Sequence, residues 1–176
     1  MNEINKKLEI AKKLHFSGKI NESQKIYLEL AKTNEKNYEI FYLIGTTFLQ
    51  LKKYDEAISN FNISLNLNPS FANTYNNKGI ALSEKQNFSD AIFNYDKAIQ
   101  LKKDYIDAYI NKGVALNKLK NYKEAIKYFK LLLKINPSDP KIYNNLGNVY
   151  KNLKKYPVAI EVYNRAIKLN KNFFEA

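Results

Sequence analysis

Gly45, Gly79, Gly113 and Gly147 follow one another at intervals of 34 residues without a slip, and Ala11 holds the same place one interval earlier. A fixed period of this length marks an architecture of stacked supersecondary units, and it constrains the fold more than any composition does. The other columns keep the register. Twelve residues after each small residue come Ser23, Ala57, Ala91, Ala125 and Ala159; nine after it come Ile20, Tyr54, Phe88, Tyr122 and Tyr156. Sixteen after it come Tyr27, Phe61, Tyr95, Phe129 and Tyr163. Five units, 4–37, 38–71, 72–105, 106–139 and 140–173, take up nearly the whole chain.

Inside a unit the apolar period is helical. In the fourth unit Ile106 to Leu119 reads as one amphipathic helix and Tyr122 to Ile135 as a second, with Lys120-Asn121 between them. The breaks carry turn and cap residues, and all four prolines fall in turns or at helix starts, where the missing N–H costs nothing. The small residues mark close approach of two helix backbones. Gly79 is expected to meet Ala91 and Ala98, with Tyr75, Leu82, Phe88 and Tyr95 filling the space around them. Lys78 and Lys112 stand where an apolar residue suits the pattern, so their stems are expected along the core with their heads in water.

Catalytic parts are scarce. The chain has no Cys, no Trp and one His, which removes thiolate nucleophiles and leaves a zinc site nothing but His15 and carboxylates. Neither a metal nor a cofactor is expected. His15 reads as a surface or cap residue near the end of the first helix. Each Gly is accounted for by the repeat or, for Gly18, by a turn, so there is no phosphate-cradling loop. No catalytic residue emerges, and the chain is not expected to be an enzyme. The start, MNEINKKLEIAKKL, is charged throughout, and nowhere do 18 apolar residues run together. A cytoplasmic protein with no membrane span is expected.

The pattern over 4–173 resembles the tetratricopeptide repeat. The family's first-helix aromatic stands as Phe41, Tyr75, Tyr109 and Tyr143, its small residue as the four Gly, and its second-helix Ala-x3-aromatic-x2-Ala as Ala91-Tyr95-Ala98 and Ala159-Tyr163-Ala166. The first unit departs from it with Lys7, Ser23 and Glu35, as a terminal cap does. The resemblance implies an all-α, right-handed superhelical solenoid of five helix-turn-helix units forming a single domain over 1–176. Residues 174–176 then open a truncated sixth unit.

At 100° per residue, unit positions 2, 6, 9 and 13 of each first helix lie opposite the core-facing side. In the family that side lines a concave groove. Here it reads Glu39, Leu43, Thr46 and Gln50; Asn73, Asn77, Ile80 and Glu84; Asp107, Asn111, Val114 and Lys118; and Lys141, Asn145, Asn148 and Asn152. Asn77, Asn111 and Asn145 repeat one position through three successive units. A primary amide both donates and accepts, so such a column can hold a peptide backbone regardless of its side chains, with Ile80 and Val114 adding shallow apolar contact. It looks like the asparagine ladder of the O-GlcNAc transferase repeat domain, and implies a protein or peptide partner bound weakly, on the order of micromolar. The basic and Asn positions of a chaperone-tail clamp do not recur, which disfavours chaperone C-termini.

The net charge of +12 raises a second partner class. Lys52, Lys53, Lys85, Lys120, Lys154 and Lys155 sit at the turns within units and are expected to form an edge that attracts RNA or another anionic surface. Arg165 is the only Arg, and most aromatics occupy structural columns, so base readout and stacking lack their residues. Nucleic-acid contact is therefore expected to be non-specific. A third reading takes the chain as the N-terminal, substrate-recruiting region of a larger glycosyltransferase- or sulfotransferase-type enzyme, because KKLHFSGKINESQKIY resembles the opening of such proteins. Finally, Leu153, Ile160, Ile167 and Leu169, with Phe173 and Phe174, are expected to leave an apolar, uncapped end through which copies associate.

Overall fold

A computed structural model describes residues 3–169, and all ten elements in that range are α-helices. They form five pairs in sequence order: α1 (Glu3–Phe16) and α2 (Ile20–Thr33), α3 (Tyr38–Gln50) and α4 (Tyr54–Leu67), α5 (Ala72–Glu84) and α6 (Phe88–Leu101). Then come α7 (Ile106–Lys118) and α8 (Tyr122–Ile135), followed by α9 (Pro140–Asn152) and α10 (Tyr156–Leu169). The five expected pairs are all present. Phe173 and Phe174, and the sixth unit expected after them, lie outside the described residues.

Local chemistry sets the helix ends. Asn37 Oδ1 accepts from the Glu39 N–H at 3.0 Å, and Asp139 Oδ1 from the Lys141 N–H at 2.8 Å, with Pro140 in the first turn. Each first helix closes with a paired reverse turn. The Lys53 N–H reaches back to the Phe48 carbonyl at 2.9 Å and the Lys52 N–H to that of Leu49 at 3.0 Å. The same two bonds recur at Asn87 and Gln86, Asn121 and Lys120, and Lys155 and Lys154. This closure needs a left-handed residue. Lys52, Gln86, Lys120 and Lys154 adopt φ of 59°, 62°, 61° and 60°, whereas the first unit uses Gly18 at 80°.

Packing divides the helices into two compact bodies, α1–α6 ending at Lys102 and α7–α10 beginning at Lys103. Tyr27, Leu30, Ile40, Ile44 and Phe61 are buried in the first; Ala108, Leu116, Phe129, Leu132, Ile142 and Leu146 in the second. The alanine column is buried throughout, at Ala57, Ala91, Ala125 and Ala159.

The interior adds detail to one expectation and corrects another. The group nearest to Gly79 is the ring of Tyr95, one of the side chains expected around it. A Cβ there would lie 2.5 Å from Tyr95, and one at Gly45, Gly113 or Gly147 would lie 2.6 Å from Phe61, Phe129 or Tyr163. The glycine column thus makes room for an aromatic of the partner helix. The correction concerns Lys112, whose head is not in water. The residue is only 6% exposed, with Nζ donating to Tyr128 Oη at 2.6 Å and standing 4.3 Å from the centre of that ring. Lys78 is half-buried, and burial lowers its ammonium pKa from the ordinary value.

Candidate functional site

In the second body α7 and α9 present their non-core sides next to each other, and α10 supplies a wall. Asp107, Ile110 and Asn111 of α7, with Pro140, Lys141, Asn144 and Asn145 of α9, line a groove of 480 Å³. Tyr163, Ala166 and Ile167 of α10 complete it. Four residues expected from the sequence, Asp107, Asn111, Lys141 and Asn145, therefore meet in one groove. Ile110, Pro140, Asn144 and the α10 residues lie outside the expected set; Ile110 flanks the groove-facing positions of α7 and, with Ala166 and Ile167, gives the groove apolar lining. A neighbouring recess of 280 Å³ is lined by Val114, Asn117, Lys118, Phe129, Asn145, Asn148, Lys151 and Asn152. Asn145 borders both.

The asparagines differ in what they already hold. Asn148 Oδ1 accepts from Tyr163 Oη at 2.7 Å, so that oxygen serves the interior, and burial raises the Tyr163 phenol above its ordinary pKa. In the first body Asn77 Nδ2 lies 3.4 Å from both Tyr42 Oη and Thr46 Oγ1, while its Oδ1 accepts from Asn76 Nδ2 at 3.2 Å. Burial raises the Tyr42 phenol against the opposing effect of its hydrogen bonds with Thr46 and Asn77. Asn77 is thus held by its own chain. The places that hold it, Tyr42 and Thr46, correspond one unit before Asn145 to Ile110 and Val114, which have no side-chain group to bind an amide. Asn73 and Ile80, on the same helix as Asn77, are half-buried.

The turn lysines are less uniform than their spacing suggests. Lys52, Lys53, Lys120, Lys154 and Lys155 are exposed, but Lys85 is bound to the Asp55 carboxylate. His15 lies near the end of α1 with Nε2 2.8 Å from Gln50 Oε1. Among the described residues no group of three or more His, Cys, Asp or Glu is placed to hold a metal ion, and no helix is long and apolar enough to cross a membrane.

Models of the tetratricopeptide repeat match residues 38–71, 72–105, 106–139 and 140–173. The chain belongs to the tetratricopeptide repeat family. Its first unit, with Lys7, Ser23 and Glu35, is not among the matched segments. No curated relative matches the chain by sequence. Solved structures of tetratricopeptide repeat proteins share its fold at low identity. MamA from Desulfovibrio magneticus RS-1, residue 41 to the end, superposes with a TM-score of 0.87 at 18% identity, over 98% of each chain. YrrB, described as having an unusual peptide-binding site, gives 0.77 at 17% identity over 96% of this chain and 87% of that one. A thermophilic tetratricopeptide repeat protein of Thermus thermophilus gives 0.78 at 17% identity over 98% of this chain and 94% of that one. At such identities these likenesses concern the fold. Membership of this family supports a protein-interaction scaffold.

Proposed function

We propose that this chain is a non-catalytic protein-interaction scaffold of the cytoplasm that receives an extended peptide along the first-helix faces, chiefly in the groove of the second body. The observation that carries this reading is the convergence of Asn111 and Asn145 with Asp107 and Lys141 over an apolar floor. The volume of 480 Å³ lies within the range of ordinary ligand sites. The Asn145 amide can pair with both groups of a peptide bond, and the Asp and Lys set its direction. YrrB offers a parallel for a peptide site on this fold, though not for its residues. The reading includes one continuous solenoid domain over the five units, and it accommodates recruitment of substrates to a larger transferase. Contact of the exposed turn lysines with phosphates belongs to it only as a salt-labile, non-specific addition.

The test replaces Asn111 and Asn145 together with Ala and measures binding of a peptide selected on the wild-type chain. Helical circular dichroism should stay unchanged, because neither residue is buried, while affinity falls at least tenfold. Adding Asn77→Ala should change affinity little further and lower stability slightly, because that amide is tied to Tyr42 and Thr46. Undiminished binding in the double variant would remove the asparagine column from the mechanism.

A second reading rests on α10. Tyr156, Val158 and Ile160 are 55%, 37% and 59% exposed, while Leu153, Ile167 and Leu169 are half-buried. We propose that copies associate through this side, as exposed apolar surface commonly does. Sedimentation should show self-association that Ile160→Lys abolishes. A chain that is monomeric at high concentration contradicts it.

A further inference from the structure

We infer that the partner peptide carries a carboxylate side chain about three residues from the aliphatic side chain that enters the groove, and that Lys118 and Lys151 receive it. The inference deepens the groove reading of the second body and rests on it. It starts from the seam that the two cavities share. On α7 the groove is lined between Asp107 and Asn111 and the recess between Val114 and Lys118; on α9 the groove ends and the recess begins at Asn145. At about 1.5 Å of rise per residue, the centres of the two α7 stretches lie roughly 10 Å apart. An extended peptide covers that distance in about three residues.

The two ends of the seam differ in charge. The groove carries one group of each sign, Asp107 and Lys141, beside the apolar Ile110, Ala166 and Ile167. The recess carries Lys118 and Lys151, both exposed, and no carboxylate lines it. Neither lysine has an acidic residue three or four places away on its own helix. Lys7 and Lys12 of α1, by contrast, pair with Glu3 and Glu9. Among the described residues Lys118 and Lys151 form no ion pair. The repeat sharpens the contrast, because Glu84 holds the place of Lys118 one unit earlier. Positive charge without a counter-ion is therefore peculiar to this end of the seam.

The amides of the recess do not choose its ligand. Asn117 Oδ1 accepts from Asn152 Nδ2 at 3.1 Å and Asn148 Oδ1 accepts from Tyr163, but the amide groups left over still include both donors and acceptors. The two ammoniums choose. They repel a basic side chain and gain only dipoles from a neutral one, whereas a carboxylate pairs with both. A phosphodiester strand is also anionic. It brings no aliphatic side chain for Ile110, Ala166 and Ile167 at the other end, so the seam as a whole suits a peptide.

The test adds unlabelled peptides to the isotope-labelled, full-length protein and follows the side-chain amide signals of Asn145 and Asn148 by NMR. The probes are acetyl-GSLSGESG-amide and acetyl-GSESGLSG-amide, which present leucine and glutamate in both orders, and their glutamine counterparts. At about 20 mM salt at least one order should bind saturably, about fivefold tighter with glutamate than with glutamine. At about 500 mM salt that preference should shrink below about twofold. Lys118→Gln with Lys151→Gln should abolish it at low salt, with helical circular dichroism unchanged because both side chains are exposed. No binding in either order, equal affinity for glutamate and glutamine, or a glutamate preference that persists in the double variant each overturns the inference. Oligothymidylate that binds these lysines more tightly than either peptide overturns it too. If a selected peptide depends on Asn111 and Asn145 while the glutamate preference is missing, only this inference falls; loss of that dependence is the failure of the groove reading instead.

Discussion

Phe129→Ala should destabilise the second body by about 3–5 kcal/mol, and in that background Gly113→Ala should change from damaging to stabilising. Phe129 is 0% exposed, so truncating it loses a fully buried ring and leaves a cavity under α7. Gly113→Ala on the wild-type background places a Cβ 2.6 Å from Phe129 Cζ. The ring is enclosed on all sides and cannot retreat cheaply. Overpacking of this kind costs about 1–3 kcal/mol, against the roughly 1 kcal/mol by which Ala outperforms Gly inside a helix. The first effect wins, and a net loss follows. Once the ring is gone the helix preference stands alone and the cavity accepts the methyl, so the sign reverses. Hydrogen exchange of the α8 amides reads the local free energy without requiring the whole chain to unfold in one step. Strictly additive losses would show that the glycine column serves some purpose other than seating the ring.

Much of the architecture is written in the columns, because each unit repeats the same local problem and solves it alike. The 34-residue register locates all five helix pairs, and the 100° rotation places Asp107, Asn111, Lys141 and Asn145 on one groove. Rotation gives the face on which a residue lies but not how far its side chain reaches. The pattern puts Tyr95 among the side chains around Gly79, but that its ring edge is the group nearest to the glycine is read only from the fold. A column also hides what the preceding unit contributes. Asn77 and Asn145 hold one position, yet Tyr42 and Thr46 bind the first amide, while Ile110 and Val114 stand at the matching places before the second.

Lys112 and Tyr128 should behave as an obligate pair, with Tyr128→Leu costing about 1–3 kcal/mol and Lys112→Met close to neutral. The pattern alone puts the Lys112 head in water, since hydropathy ranks a lysine by its charge and says nothing of a partner 16 residues away on the next helix. In the fold that partner is Tyr128, which offers its hydroxyl at 2.6 Å and its ring face at 4.3 Å. Keeping an ammonium at 6% exposure is costly, and the tyrosine offsets that cost without adding net stability. Removing the tyrosine therefore takes the hydroxyl and ring partner from a buried cation, whereas removing the lysine replaces a charge by an apolar chain of similar length. Tyr128→Phe separates the two contributions. It keeps the ring, whose attraction for a cation is worth about 0.5–2 kcal/mol, and loses only the hydroxyl, so its loss should be the smaller. In the Lys112→Met background Tyr128→Phe should have almost no effect, which makes the coupling of the double-mutant cycle the quantity to measure. If Lys112→Met proves as damaging as Tyr128→Leu, the ammonium is supporting the fold itself, and the tyrosine is only one of the groups that it holds in place.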